Sequence, residues 1–208
     1  MKKILFNKLL IPSVFDGTKT MTRRIVPNKV RVNISTLEEY HLYDRLNDDY
    51  HKSVAIGVYS RYKVGEIVAV AQSYKDISEG KTWINGEHMG ISVKHATSLP
   101  GWNNPMFVKA ELMPHQIQIT DIKVERLQEI NERDCLKEGV YRGQIIPPYA
   151  GATFLDEKNI YYPFRHIDPY NWHYDYKKAF ASLIDKVSGK GTWERNPWVF
   201  AYTFELVK

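Results

Sequence analysis

The sequence predicts one α+β domain spanning residues 1–208, a small β-barrel of five to six strands with helices at its rim. Three observations carry that expectation. Trp198, Phe200, Tyr202, Phe204 and Leu206 alternate strictly, the signature of a strand with one buried face. Trp172, Tyr176, Phe180, Leu183, Ile184 and Val187 recur at spacings of three and four, which marks an amphipathic helix over 171–187. Several shorter strand patterns lie between them, punctuated by Gly and Pro but by no Gly/Ser linker that would divide the chain.

Taken in order, residues 3–6 read as a first short strand. Residues 8–16 carry helical apolar spacing at Leu10, Val14 and Phe15, with Pro12 tolerable near the helix start and Gly17 as its stop. Thr20 to Val26 reads as a strand closed by Pro27. Residues 33–60 are polar and locally acidic, the pattern of a surface insertion. Tyr62-Lys63-Val64-Gly65-Glu66 forms a turn feeding a strand over Ile67 to Ala71, and Asn85-Gly86 is a hairpin signal. Phe107 to Leu112 and Gln116 to Arg126 read as two more strands. In the second, Ile117 and Ile119 alternate, and then Ile122 and Val124 resume one residue out of phase. That slip predicts a bulge near Thr120-Asp121. Asn131 is a helix N-cap, and Gly139 sits where such a helix would end, so Cys135 and Glu138 ride on a short helix. Gly189 ends the longer helix.

Composition narrows the class of protein. The chain is 43% hydrophobic, too apolar for a disordered polypeptide. Its apolar runs are broken early by Asn7-Lys8 and Pro12, so neither a signal peptide nor a membrane span is expected, and the chain reads as cytoplasmic. A single cysteine, Cys135, excludes an internal disulfide and a cysteine-rich zinc site. The seven histidines show no compact ligand spacing, and no metal or cofactor is expected. Net charge is +5, but residues 1–32 carry eight cations against Asp16 alone, or +7, leaving −2 for the rest. A concentrated basic segment suits a polyanion such as nucleic acid; it also suits a solvated basic face.

Gly17-Thr18-Lys19-Thr20-Met21-Thr22-Arg23-Arg24 places an amine, three hydroxyls and two guanidiniums at a turn-to-strand junction. On a strand, Thr20, Thr22 and Arg24 share one face. Neighbouring guanidiniums and partial burial would lower the pKa of Lys19, and a lysine base beside a threonine hydroxyl is a workable activated nucleophile. Lys19, Thr20, Arg23 and Arg24 are the ligand-binding candidates of this stretch. The same residues also fit an ordinary strand with an exposed basic edge. Glu138 alone reads as a solvated glutamate at a helix end. Aromatics crowd residues 141–176, where Trp172 and Tyr176 read as core and one or two others as base-stacking candidates. Ser188-Gly189-Lys190-Gly191-Thr192 lacks the first glycine of a phosphate loop and follows a helix, so it is not one.

Four blocks in order carry a resemblance. Gly17-x-Lys19-x-x-Thr22-x-Arg24 after an amphipathic helix resembles the signature of ASCH domains, of the PUA-like superfamily. Tyr62 to Ile67 is similar to the family's turn before a barrel strand, and Ile119 to Val140 to its next block. Gly191-x-Trp193 and Asn196-Pro197-Trp198-Val199 resemble the longer ASCH-like proteins often carried by phages and prophages. Residues 33–60 and 141–170 stand as insertions relative to short members. The resemblance implies a PUA-like barrel whose cleft binds RNA or a modified nucleoside. It also implies, by similarity to small acetylcytidine amidohydrolases, a catalytic set of Lys19, Thr22 and Glu138. This chain has Thr18 where those enzymes often carry a basic residue. A third reading is a phage-type accessory protein acting through protein contacts.

Overall fold

A computed structural model describes residues 1–27, 46–77, 98–144, 159–164 and 171–207, with the short strand segments 29–31, 39–41, 83–84 and 87–88. The fold is mixed α+β, built on one five-stranded sheet. The strands are β1 (Lys3–Ile4), β2 (Met21–Ile25), β3 (Lys29–Arg31), β4 (Glu39–His41), β5 (Ile67–Val70), β6 (Trp83–Ile84), β7 (Glu87–His88), β8 (Gln116–Arg126), β9 (Tyr141–Gln144), β10 (Asn159–Tyr162) and β11 (Trp198–Leu206). The main sheet runs β1-β5-β8-β11-β2, with β1 parallel to β5 and the other neighbours antiparallel. Three two-stranded ladders, β3–β4, β6–β7 and β9–β10, accompany it; Asn85-Gly86, where a hairpin turn is expected, lies outside the described residues.

β8 and β11 form the spine of the sheet. Thr203 pairs with Asp121 and Phe204 with Ile119, which leaves Thr120 as the extra residue of a bulge. The inserted residue restores the phase, so Ile117, Ile119, Ile122 and Val124 all enter one core with Trp198, Phe200, Tyr202 and Phe204. The opposite side carries a second core, where Val199 meets Leu127, Ile130, Cys135, Phe180, Leu183 and Ile184. Burial on both sides explains why Val199 and Ala201 are as buried as the aromatics that alternate with them.

The helix expected over 171–187 runs from Tyr176 to Ser188, because Asp175 caps it by accepting the Lys177 N–H at 2.7 Å. Trp172 therefore precedes the helix and is exposed, while Tyr176 is half-buried against the second core. Phe107 to Leu112 is no strand. Asn104 accepts the Met106 N–H and Pro105 lacks a ladder donor, so the chain forms two single 3₁₀ turns, Pro105–Phe107 and Ala110–Leu112. Residues 33–60 hold more than surface chain. Asp48 caps a helix over Asp49–Tyr59, and Leu46 and Ala55 are fully buried in the first core. Of the 141–170 segment, 145–158 and 165–170 lie outside the described residues, as do 32–38 and 42–45 of the first.

The sheet ladder runs from β1 to β2 with no described pairing between these two edges, so the expected closed barrel is not drawn by its hydrogen bonds. The edges still approach: an Arg24 N–H on β2 donates to the Leu5 carbonyl just after β1. Among the described residues no helix is long and apolar enough to cross a membrane.

Candidate ligand cavity

The Gly17–Arg24 stretch leads into β2, one of the two edges of the main sheet. The Ile11–Phe15 helix stops at Gly17, whose φ of +74° suits glycine. Asp16 then accepts both the Thr18 N–H (2.9 Å) and the Thr18 hydroxyl (2.6 Å), and the Lys19 N–H donates to Ser13 at 2.6 Å. This turn drives the Lys19 side chain inward. Thr20 next ties two elements together: its N–H donates to the Lys137 carbonyl at 2.9 Å, and its carbonyl accepts the Phe204 N–H at 2.8 Å.

Glu138 arrives from the other side. Asn131 caps the Glu132–Lys137 helix by accepting the Asp134 N–H at 2.9 Å, and Glu138 closes it. Gly139 follows with φ +102°, and a Cβ there would stand 3.1 Å from Leu10 and 3.7 Å from the Lys19 stem. Glycine is therefore required both for the backbone and for the close packing of Lys19 beneath it.

Lys19 is 1% exposed and spends all three ammonium hydrogens, on the Met21 carbonyl (2.7 Å), the Glu138 carbonyl (2.7 Å) and Glu138 Oε2 (2.8 Å). Arg23 Nη1 donates to the other oxygen of Glu138 at 3.0 Å. The same guanidinium donates to Glu125 through Nε (3.0 Å) and Nη2 (2.5 Å), and Asp134 lies 3.6 Å away. Two cations thus face three carboxylates in a largely buried network. Burial pushes the Lys19 pKa below its ordinary value; Glu138 pushes back, and Arg24 and Arg23 add to the lowering. Burial opposes the Arg23 charge too, but Glu138 and Glu125 more than offset it and raise its pKa.

A cavity of about 220 Å³ wraps the edge of β2, which has no strand partner there among the described residues. Lys19, Thr22, Arg23, Arg24 and Glu138 line it together with Leu5 and Phe6 on one side and Leu183 and Ile184 on the other. The β2 register puts Thr22 opposite Tyr202 and Arg24 opposite Phe200, which confirms that they share a face. The three residues matched to the amidohydrolase motif, Lys19, Thr22 and Glu138, therefore meet at one cavity. Thr20 does not line it and is held by backbone bonds. Arg23 lines it but commits its guanidinium to carboxylates, so it is a brace rather than the exposed ligand contact expected. No hydrogen bond joins Lys19 to Thr22 among those described. Sequence reading passed over Glu125 and the burial of Asp134 and Glu138. Glu125 occupies a regular polar position of its strand, which also carries Asp121, so nothing in the sequence singles it out. Cys135 is fully buried, and burial lifts its thiol to about 12. Among the described residues no group of three His, Cys, Asp or Glu is placed to hold a metal ion.

Compared with known proteins, the chain matches no family model, no curated protein and no solved structure.

Proposed function

We propose that this chain is an ASCH-type, PUA-like cytoplasmic protein that binds RNA or a modified nucleoside in the cavity at the β2 edge. The observation that carries this reading is the convergence of Lys19, Thr22 and Glu138 on that cavity, with Lys19 and Glu138 119 positions apart in sequence. Drug-sized ligand sites occupy ~300–1,000 Å³, so a space of about 220 Å³ suits one nucleoside rather than a larger ligand. Phe6, Leu183 and Ile184 offer apolar walls to a base, and Thr22 and Arg24 supply hydrogen-bonding groups beside it. In this reading the Arg24–Leu5 contact is the seam of a PUA-like barrel.

A second reading, hydrolysis of an acylated nucleoside such as N(4)-acetylcytidine, is favoured by the 2.8 Å hydrogen bond from Lys19 to Glu138 beside Thr22. A proton passing from Lys19 Nζ to Glu138 leaves a neutral amine and a carboxylic acid with no net change of charge. Lys19 exchanges one of its three hydrogen bonds for the Thr22 hydroxyl and takes its proton. Thr22 Oγ1 adds to the acetyl carbonyl carbon, with Arg24 facing the oxyanion. The C–N bond breaks, Glu138 protonates the departing nitrogen, and the acetyl group remains as an ester on Thr22. Water then releases acetate and restores the hydroxyl.

The test pairs calorimetric binding of cytidine and N(4)-acetylcytidine with chromatographic assay of deacetylation. Under the hydrolase reading Thr22→Ala still binds, weakened by no more than one lost hydrogen bond, and loses about 10²–10⁴-fold in turnover, the range of a lost acid–base or nucleophilic step. Saturable binding without turnover leaves the binding protein and removes the enzyme. Absence of both removes the nucleoside reading.

A further inference from the structure

We propose that a second cavity, sharing Leu5 and Arg24 with the first, is a phosphate-binding subsite, so that the ligand is a nucleotide, free or within an RNA strand. This rests on the reading of the first cavity as a nucleoside site. The second cavity holds about 310 Å³ and places Lys3, Arg24 and Arg61 around Tyr59 and Tyr62, with Met106 at its wall.

Its charge differs in kind from that of the first cavity. Among the described residues, none of Lys3, Arg24 and Arg61 has a carboxylate within ion-pair distance. Lys3 Nζ gives two hydrogens to the carbonyls of Met106 (2.7 Å) and Val108 (2.9 Å), which fixes the ammonium and leaves its third hydrogen with no partner among the described residues. Arg24 gives one N–H to the Leu5 carbonyl, and among the described residues the rest of its fork makes no hydrogen bond. The Arg61 guanidinium lies over the Tyr62 ring at 5.7 Å. Tyr62 in turn donates its hydroxyl to the Lys3 carbonyl at 2.9 Å, so one buried phenol anchors both cationic residues.

Each cation is thus positioned by carbonyls or a ring rather than neutralised by an acid. Adjacent Lys2 shows the alternative: its ammonium pairs with Glu66 at 3.0 Å. Three unneutralised cations at one concavity call for an anion with several oxygens, and two planar guanidinium forks match phosphate. Because Arg24 lines both cavities, a phosphate held here lies next to a nucleoside held in the first.

The experiment measures binding of the four ribonucleosides and of their 5′- and 3′-monophosphates by calorimetry at low salt. Both wild type and Arg61→Ala are titrated, with a thermal melt to check that the variant is folded. The expected result is that one monophosphate binds about tenfold or more tighter than its nucleoside. Arg61→Ala removes that advantage and leaves the nucleoside affinity within twofold, and Arg61→Lys restores part of it. Raising the salt weakens the monophosphate and not the nucleoside. Nucleoside binding to which phosphate adds nothing overturns the subsite and leaves the first cavity's reading intact. Monophosphate binding lost in Arg61→Ala, with no nucleoside binding, keeps the phosphate site and overturns the nucleoside reading. Silence of every probe overturns both.

Discussion

Arg23 and Arg24 are consecutive, of one residue type and on one edge strand, yet they have opposite surroundings. Arg23 turns toward the second core, where its guanidinium is fully enclosed by Glu125, Glu138 and Asp134 and lies over Phe180. Arg24 turns to the other face, is exposed, and shares the space over Phe6 with Lys19. The alternation of a strand sorts the basic stretch into charges that hold the fold and a charge that faces the two cavities. A basic patch counted from sequence therefore overstates what is on offer: of Lys19, Arg23 and Arg24, Arg24 is the one with no carboxylate partner among the described residues.

The largest effect that can break this comparison is Arg23→Met. Removing the guanidinium leaves Glu138 with Lys19 and takes from Glu125 and Asp134 the cation they face, and losing one partner of a buried ion pair costs about 3–5 kcal/mol. Urea unfolding should show that loss in the midpoint with little change in slope. A cost no larger than that of Arg24→Met would show that the network does not carry the stability its burial implies.

Lys19→Met ranks second. It leaves Glu138 with Arg23 as a remaining partner, so the expected cost is smaller, about 1–3 kcal/mol, the penalty for unmaking hydrogen bonds to a buried charge. The pH dependence sharpens the point. Burial holds the Lys19 pKa below 10.5 in the folded chain, so between the folded value and 10.5 the unfolded chain binds more protons. Stability then rises with pH across that window, and the rise should vanish in Lys19→Met. Thermal melts of both proteins across the alkaline range read this directly. A wild-type curve that falls relative to the variant as pH rises would reverse the sign and place the lysine among groups stabilised in their charged form.

Much of the scaffold behind this sorting was legible. The closing strand, the bulge at Thr120, the Asn131 cap and the stops at Gly17 and Gly139 all follow from periodicity or from one residue's local chemistry. The first core's share of residues 46–60 was not, because Leu46 and Ala55 sit among polar residues whose helix shows only once it packs on β8. At the site, the lowered pKa of Lys19 is expected from neighbouring guanidiniums and partial burial; its burial is in fact nearly complete and is the main cause. The acids were not legible in this way. Glu125, Asp134 and Glu138 lie more than a hundred residues from Arg23, and nothing in their own surroundings in the chain announces a buried cation. Pairing across that distance is set by sheet order, and sheet order is what a single sequence leaves least determined.

The smallest stability effect belongs to Arg24→Met, and it is the one that separates the two arginines most cleanly. An exposed side chain with one carbonyl bond and a ring contact at 5.9 Å contributes within about 0.5 kcal/mol, so the melt should be almost unchanged. On the proposed reading its effect falls on the ligand instead. Arg24 is the lining residue common to both cavities that carries a charge, so its loss should weaken a nucleotide more than Arg61→Ala does, since it also touches the nucleoside space. Nucleotide affinity unmoved in a folded Arg24→Met protein would mean that the β2 edge leaves this charge to the solvent. The division between bracing and binding arginines would then have only its first half.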